Sequence, residues 1–409
     1  MKTIISITLL AFLYFLPATA QQADYTKLKS DAEQFYAAGS YARANEAYSK
    51  IQKTGLPPAE VRWVDFRLAD TLWRAQAATA TSDTTKFEQA QKQLEELIRT
   101  NDKDDERDLV WAEAHESLAD FFWTRSNQMN WGGGWPHYQL ALDWWAGQRE
   151  IDQARGRYLK IVFKAAEPPR PNEYYYYTYY GNYIPLDILE NALRISTTEN
   201  EKTHLHFLIA MTMRYTGGDW ETRQRVPEEF EFALKAGKKS DWYDDALFNY
   251  AQWMESNGTV RQLDNGEWQQ ETDYVKALEL FRRITTEFAK GETRYYDQAL
   301  EQIKQITEPT ISVAVSNIFL PESELQFSLG ARNVKRADLA LYRIDLTRDV
   351  RFTKNLEEDE GEGDVEGWIQ KLRLAGRVPV KAWSKQLDSK GDHQPYSEQV
   401  RIDGKLPLG

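Results

Sequence analysis

The residues of this chain that could do chemistry are limited first by what is missing. There is no cysteine, which removes thiol nucleophiles, disulfides, thiolate metal sites and a cysteine for lipid attachment. Five histidines remain. His115 and Glu116 begin a zincin-like phrase, but Ala119 stands where the second histidine is needed. His204 and His206, two positions apart, point to nearly opposite sides of a helix. Asp102, Asp104, Glu106, Asp108 and Glu113 imitate a calcium loop, with Arg107 where its sharp turn requires glycine. Asp244 and Asp245 are neighbours that diverge by about 100° on a helix, a pattern of capping and solubility. The sequence therefore singles out no catalytic residue, no cofactor-binding residue and no metal ligand, and it calls for no cofactor. Its 63 acidic residues still leave room for paired carboxylates, so an α-helical toroid glycosidase stays open as the enzyme-class alternative.

Two stretches read as loops between helices. Trp131-Gly132-Gly133-Gly134-Trp135-Pro136 has the glycines of a phosphate cradle without its strand, helix or lysine. The segment from Pro168 to Pro185 carries Tyr174, Tyr175, Tyr176, Tyr177, Tyr179, Tyr180 and Tyr183. Tyrosines give large contact area at low entropic cost, so this loop either binds sugar or peptide or packs over helix ends. A free-standing glycan- or peptide-binding module of the cell envelope is the alternative that follows from it.

The elements that must position these residues are mostly helices. From Asp24 to Thr307 apolar residues recur at spacings of three and four. A phrase of aromatic, alanine and large apolar residue at i, i+3 and i+7 appears as Tyr41, Ala44, Tyr48; Phe87, Ala90, Leu94; Tyr138, Ala141, Trp145; and Tyr274, Ala277, Phe281. A small alanine between bulky neighbours lets another helix approach closely. The phrase resembles the second helix of a tetratricopeptide-like hairpin, with Gly39 at the preceding turn. The intervals are longer than the regular repeat, so about six degenerate pairs are expected, stacked as an α-solenoid or curved bundle. Pro57 and Pro58 open one helix, Ser240 with Asp241 caps another, Gly258 and Gly266 border a loop, and Pro309 closes the helical region.

Beyond Pro309 the period changes to two. Ile311, Val313 and Val315 alternate with Ser312, Ala314 and Ser316, and Leu325, Phe327 and Leu329 with Gln326, Ser328 and Gly330, and both runs read as half-buried strands. The run Leu339 to Leu346 is apolar on nearly both faces, as in a strand deeper in a sandwich. Val378 to Ala382 and Tyr396 to Ile402 give two more strands, and Val365, Trp368, Ile369 and Leu372 one face of a short helix.

Three phrases in this region resemble the first macroglobulin-like domain of bacterial alpha-2-macroglobulin family proteins. They are Phe319-Leu320-Pro321, the strand Glu324 to Leu329 running into Ala331-Arg332-Asn333-Val334, and Leu341-Tyr342-Arg343-Ile344-Asp345. The resemblance implies an α+β multidomain protein: a tetratricopeptide-like helical array followed by an incomplete antiparallel β-sandwich. It implies the N-terminal scaffold portion of a peptidase inhibitor, in which target peptidases would be held by regions beyond Gly409. The family's cysteine-dependent thioester cannot form in this chain. Because the closing strand of such a domain is not found before Gly409, a longer natural protein or a truncated product is expected.

Met1 to Ala20 holds a lone basic residue, an apolar run from Ile4 to Leu16 and Ala18-Thr19-Ala20 before a cleavage point, the layout of a signal peptide. The domains expected are thus residues 1–20 as signal peptide, 21–308 as helical array and 309–409 as β-sandwich. An exported protein, periplasmic or extracellular, follows, with no retained transmembrane helix because no later stretch approaches about 20 apolar residues. The net charge of −12 disfavours nucleic acid as a partner. An envelope protein docking on the helical array is the partner left open.

Overall fold

The computed structural model describes residues 16–79, 83–125, 131–148, 150–166, 184–315, 324–345, 348–349, 372–387 and 391–403. Outside them lie most of the expected leader, the tyrosine run, the Phe319-Leu320-Pro321 phrase and the short helix near Trp368. The described residues form thirteen α-helices and small antiparallel sheets, an α+β protein dominated by helix. The chain divides into two compact units, Met1–Thr216 and Gly217–Gly409.

Unit 1 holds α1 (Leu16–Ala37), α2 (Tyr41–Ser49), α3 (Pro58–Ala77), α4 (Thr85–Arg99), α5 (Leu109–Arg125), α6 (Trp131–Ala146), α7 (Ile151–Ala166), α8 (Leu186–Ile195) and α9 (Glu199–Thr216). Each helix packs on the next, and α3 also packs on α5. The alanines of the recurring phrase, Ala44, Ala90 and Ala141, are fully buried, and so are Tyr48 and Leu94. Helices α3, α4 and α5 share an apolar core built on Phe66, Trp73, Phe87, Leu94 and Leu118. Gly39, at φ +70°, ends α1: its N–H and that of Ser40 reach back to the carbonyls of Tyr36 and Phe35 at 2.9 and 2.8 Å, a glycine-terminated helix end. Ala18 to Ala20 lie within α1. Among the described residues no helix is long and apolar enough to cross a membrane.

The glycine triplet is a correction. Trp131 to Pro136 is the start of α6, where the sequence reads as a loop. A Cβ on Gly134 would stand 3.1 Å from the carbonyl oxygen of Ala119, and one on Gly133 would stand 3.4 Å from the Phe122 ring. The glycines serve close approach of α6 to α5, and Pro136 falls early enough in the helix for its missing N–H to disturb a single turn.

Unit 2 begins with α10 (Trp220–Leu234) and α11 (Tyr243–Ser256), then a hairpin of β1 (Thr259–Gln262) and β2 (Trp268–Glu271) where an irregular loop was expected between Gly258 and Gly266. Helices α12 (Tyr274–Glu287) and α13 (Tyr296–Thr307) follow. The residue capping α11 is Trp242, with no side-chain cap; Ser240 instead accepts the Trp242 N–H at 3.2 Å. Glu308, next to Pro309, is extended and ends α13.

The remaining strands are β3 (Thr310–Ala314), β4 (Leu325–Arg332), β5 (Arg336–Leu341), β6 (Lys381–Gln386) and β7 (Tyr396–Ile402), in sheets ordered β3-β4-β7 and β5-β6. One apolar cluster draws Phe327, Leu329 and Ala331 from β4, Ala337 from β5 and Val400 from β7. Two expectations are corrected here. Ile311, Val313 and Val315 are 52, 57 and 60% exposed, although Val313 and Ile311 are paired across the ladder with the buried Leu329 and Ala331. Alternation specifies which face a residue takes, and β3 is an edge strand that the apolar cluster does not reach. Of the Leu339 to Leu346 run, strand ends at Leu341 and residues 342–345 are not strand, Leu346 lying outside the described residues; the strand pairs with β6 alone and alternates between covered and exposed positions.

Candidate functional site: a charged groove on the helical unit

Three helices of unit 1 carry polar residues at i, i+3 and i+7, one stripe each. They are Arg67, Asp70 and Arg74 on α3; Glu113, Glu116 and Asp120 on α5; and Arg157, Lys160 and Lys164 on α7. Together with Tyr36, Tyr41 and Tyr138 they line a cavity of about 360 Å³.

Arg74 is the bridge between α3 and α5. Its Nε donates to Asp70 Oδ1 at 2.8 Å and its Nη2 to Asp120 Oδ2 at 2.7 Å. Asp70 is fully buried. Its Oδ1 also accepts the Ser117 hydroxyl at 2.6 Å, and Ser117 in turn accepts the Trp73 indole N–H at 2.9 Å. Oδ2 of Asp70 has no hydrogen-bond partner and lies 3.9 Å from Arg67 Nη1. Arg67 is held elsewhere, by a two-pronged contact to Glu33 at 3.1 and 3.0 Å, with its guanidinium 4.0 Å from the Tyr36 ring centre.

On the α5–α7 side, Arg157 Nη2 reaches both Glu113 and Glu116 at 2.7 Å, while its Nε and the Trp145 indole N–H donate to Glu116 Oε1 at 2.9 and 3.0 Å. Asp120 Oδ1 accepts from Lys164 and Tyr138, each at 2.5 Å. These partners set opposite electrostatics on neighbouring acids. Burial works to raise Asp120, but Lys164 and Arg74 outweigh it and hold the carboxyl below its ordinary value. Burial dominates at Glu113 and Glu116, which share one guanidinium; Glu113 is raised, and Glu116 is pushed up to about 7.

The residues singled out by sequence fall in different places. Glu113 and Glu116 enter the groove. His115 does not: its Nδ1 lies 2.8 Å from Nδ1 of His137, and its ring packs 4.3 Å from that of Trp111. Burial, with the neighbouring charges of His137 and Arg107, pushes His115 down to about 3, so it is a neutral core residue. His204 stacks on Phe163 at 4.6 Å and is also pushed down to about 3 by burial. Arg107 turns onto the acids of the calcium-like stretch, with Nη1 2.7 Å from Asp104. Asp108 caps α5 through the Trp111 N–H at 2.8 Å and holds Arg62. Among the described residues, no group of three or more metal-binding side chains is placed to hold an ion.

Within unit 2, Asp244 and Asp245 do more than cap a helix. Asp245 is buried, accepts the Tyr295 hydroxyl at 2.7 Å and pairs with Arg294; Asp244 accepts the Thr293 hydroxyl at 2.5 Å. They tie α11 to the turn before α13. The tyrosine run at residues 174–183 lies outside the described residues.

The groove escaped sequence reading because its partners are far apart. Arg74 and Asp120 are 46 positions apart, Asp70 and Ser117 are 47, and none forms a local motif. The interval is nevertheless visible. Arg62 and Asp108 are also 46 apart, the separation of Tyr41 from Phe87 in the recurring phrase, so complementary charges at that spacing were the available signal. No known family matches this chain when it is compared with family models, and no curated protein matches it.

Proposed function

We propose that this chain is a non-catalytic docking platform, the N-terminal scaffold portion of an exported alpha-2-macroglobulin-like peptidase inhibitor. The finer architecture belongs to this reading: an α-solenoid of tetratricopeptide-like pairs carrying an incomplete β-sandwich. Packing of α3 on α5 as well as on its direct neighbours supports the solenoid. An apolar cluster shared by β4, β5 and β7 supports the sandwich, and the uncovered Ile311, Val313 and Val315 support its incompleteness. The resemblance of the strand phrases Glu324 to Val334 and Leu341 to Asp345 supports the family.

The observation that carries the non-catalytic reading is the state of the four groove carboxylates. Glu113, Glu116 and Asp120 each accept from Arg or Lys, and Asp70 from Arg74. The Glu116 and Asp120 pair has divergent proton affinities, as a glycosidase would require. Each, however, accepts at both oxygens from cations, tyrosine or indole, so a proton transfer to substrate would break a charge-assisted network. The groove is built to recognise a ligand, with trapping of peptidases left to other parts of a longer protein. Added in stoichiometric amount to a broad-specificity protease, the chain is expected to leave cleavage of a protein substrate unchanged. Stoichiometric slowing would overturn this reading.

A further inference from the structure

We propose that Asn257, in unit 2, is a site of N-linked glycosylation, the acceptor of an oligosaccharide delivered on a lipid diphosphate. Resting on the exported reading above, this assigns a modification that a chain meets only as it leaves the cell interior. The residues run Glu255-Ser256-Asn257-Gly258-Thr259. Asparagine followed at the second position by serine or threonine, with no proline between, is the acceptor pattern, and bacterial transferases also read an acid two positions before the asparagine. No other asparagine of the chain has serine or threonine at that position. In the transfer, the carboxamide nitrogen bonds to the anomeric carbon of the donor's first sugar. The bond from that carbon to the diphosphate oxygen breaks, its electron pair leaves with the lipid diphosphate, and one amide proton passes to a base of the transferase.

The folded chain has room for the product. Asn257 ends α11 at the surface turn into the β1–β2 hairpin. Its Nδ2 donates to the hydroxyl of the exposed Ser256 at 3.1 Å, and its Oδ1 accepts from Gln270 Nε2 at 3.2 Å. A sugar on Nδ2 leaves one N–H for Ser256 and leaves Oδ1 with Gln270, so neither contact is lost. Thr259 is exposed, and its hydroxyl has no hydrogen-bond partner among the described residues. Gly258, at φ +67°, is buried, and a Cβ there would collide with the Glu271 carbonyl, so transfer precedes closure of the hairpin. A second observation lies beside the acceptor. Gln270 also accepts from Arg223 at 3.1 Å, and Arg223 stands over the Trp220 ring, which lies nearly parallel to that of Trp268 at 6.3 Å. Trp220 is 39% exposed, an aromatic surface against which the C–H face of a sugar can pack.

The test is intact mass of the full chain, recovered from outside the inner membrane of bacterial cells that carry such a transferase and its lipid-linked oligosaccharide. The chain is exported once behind its own leader and once behind a leader of established export. One oligosaccharide increment is expected, retained in Thr259→Ser and lost in Asn257→Gln, Thr259→Ala and Glu255→Gln. A bare mass for the exported chain, or an increment that survives any of the last three substitutions, overturns the proposal. An increment seen only behind the foreign leader, with the chain's own leader left uncut inside the cell, would instead sink the exported reading and leave the acceptor assignment standing.

Discussion

Replacing Arg74 with methionine is expected to lower the stability of unit 1 by about 3–5 kcal/mol, the cost of breaking a buried ion pair from one side. The guanidinium is 17% exposed at its side chain and stands between Asp70, 1% exposed, and Asp120, 8% exposed. Methionine keeps the unbranched stem but removes the guanidinium, whose carbon lies 4.4 Å from the Trp73 ring centre, so the loss is electrostatic more than steric. Asp120 retains Lys164 and Tyr138, but Asp70 is left with the Ser117 hydroxyl and a guanidinium nitrogen 3.9 Å away. Most of the damage therefore traces to Asp70. Urea unfolding of Arg74→Met and of Arg74→Met/Asp70→Asn checks this, and the second substitution is expected to recover more than half of the loss. A cost under about 1 kcal/mol for Arg74→Met would mean that these charges behave as surface pairs, and the groove would lose its structural argument.

That pair also marks the limit of what the sequence made legible. The helical phrase located buried faces well, because a helix buries whatever recurs at three and four: Ala90, Leu94, Ala141, Ala277 and Phe281 are all closed to solvent. Gly133 and Gly134 misled because glycine marks both a turn and a close helix approach, and only the neighbour, here Ala119, tells them apart. Ile311 and Val313 misled for a related reason. Their period fixed the correct face of the ladder but carried no information on how far the opposing layer extends. The groove was illegible locally, since its residues are spread over three helices and its partners stand 46 and 47 positions apart. The partners of Asp70 and Asp120 become visible only once α3 is seen to pack on α5.

Acid is the second lever on unit 1, and one of its two buried imidazole handles is His204. The sign follows from where protons bind. Burial holds the folded His204 at about 3, against an ordinary value of 6.5, so between these values the unfolded chain binds a proton that the folded one refuses. Its stabilising contribution is complete above about 6.5 and is lost as pH falls toward 3. From pH 7 to 4.5 that amounts to about 2.5 kcal/mol, at roughly 1.4 kcal/mol per unit. His115, pushed down to about 3 by burial and by its neighbours, loses stability over the same range. Glu116 has the opposite sign: raised to about 7 from 4.5, it favours the folded state most below 4.5, and that advantage is lost as pH rises through 7. The wild-type profile is thus a partial cancellation, and a difference experiment is needed to separate its parts. Thermal unfolding of wild type and His204→Leu at pH 7 and 4.5 does so. Leucine cannot titrate, so the variant is expected to gain about 2.5 kcal/mol on the wild type between the two conditions, whatever its cost at neutral pH. Parallel pH profiles would place His204 in contact with water in the folded chain, and its stacking on Phe163 would then be no barrier to the proton.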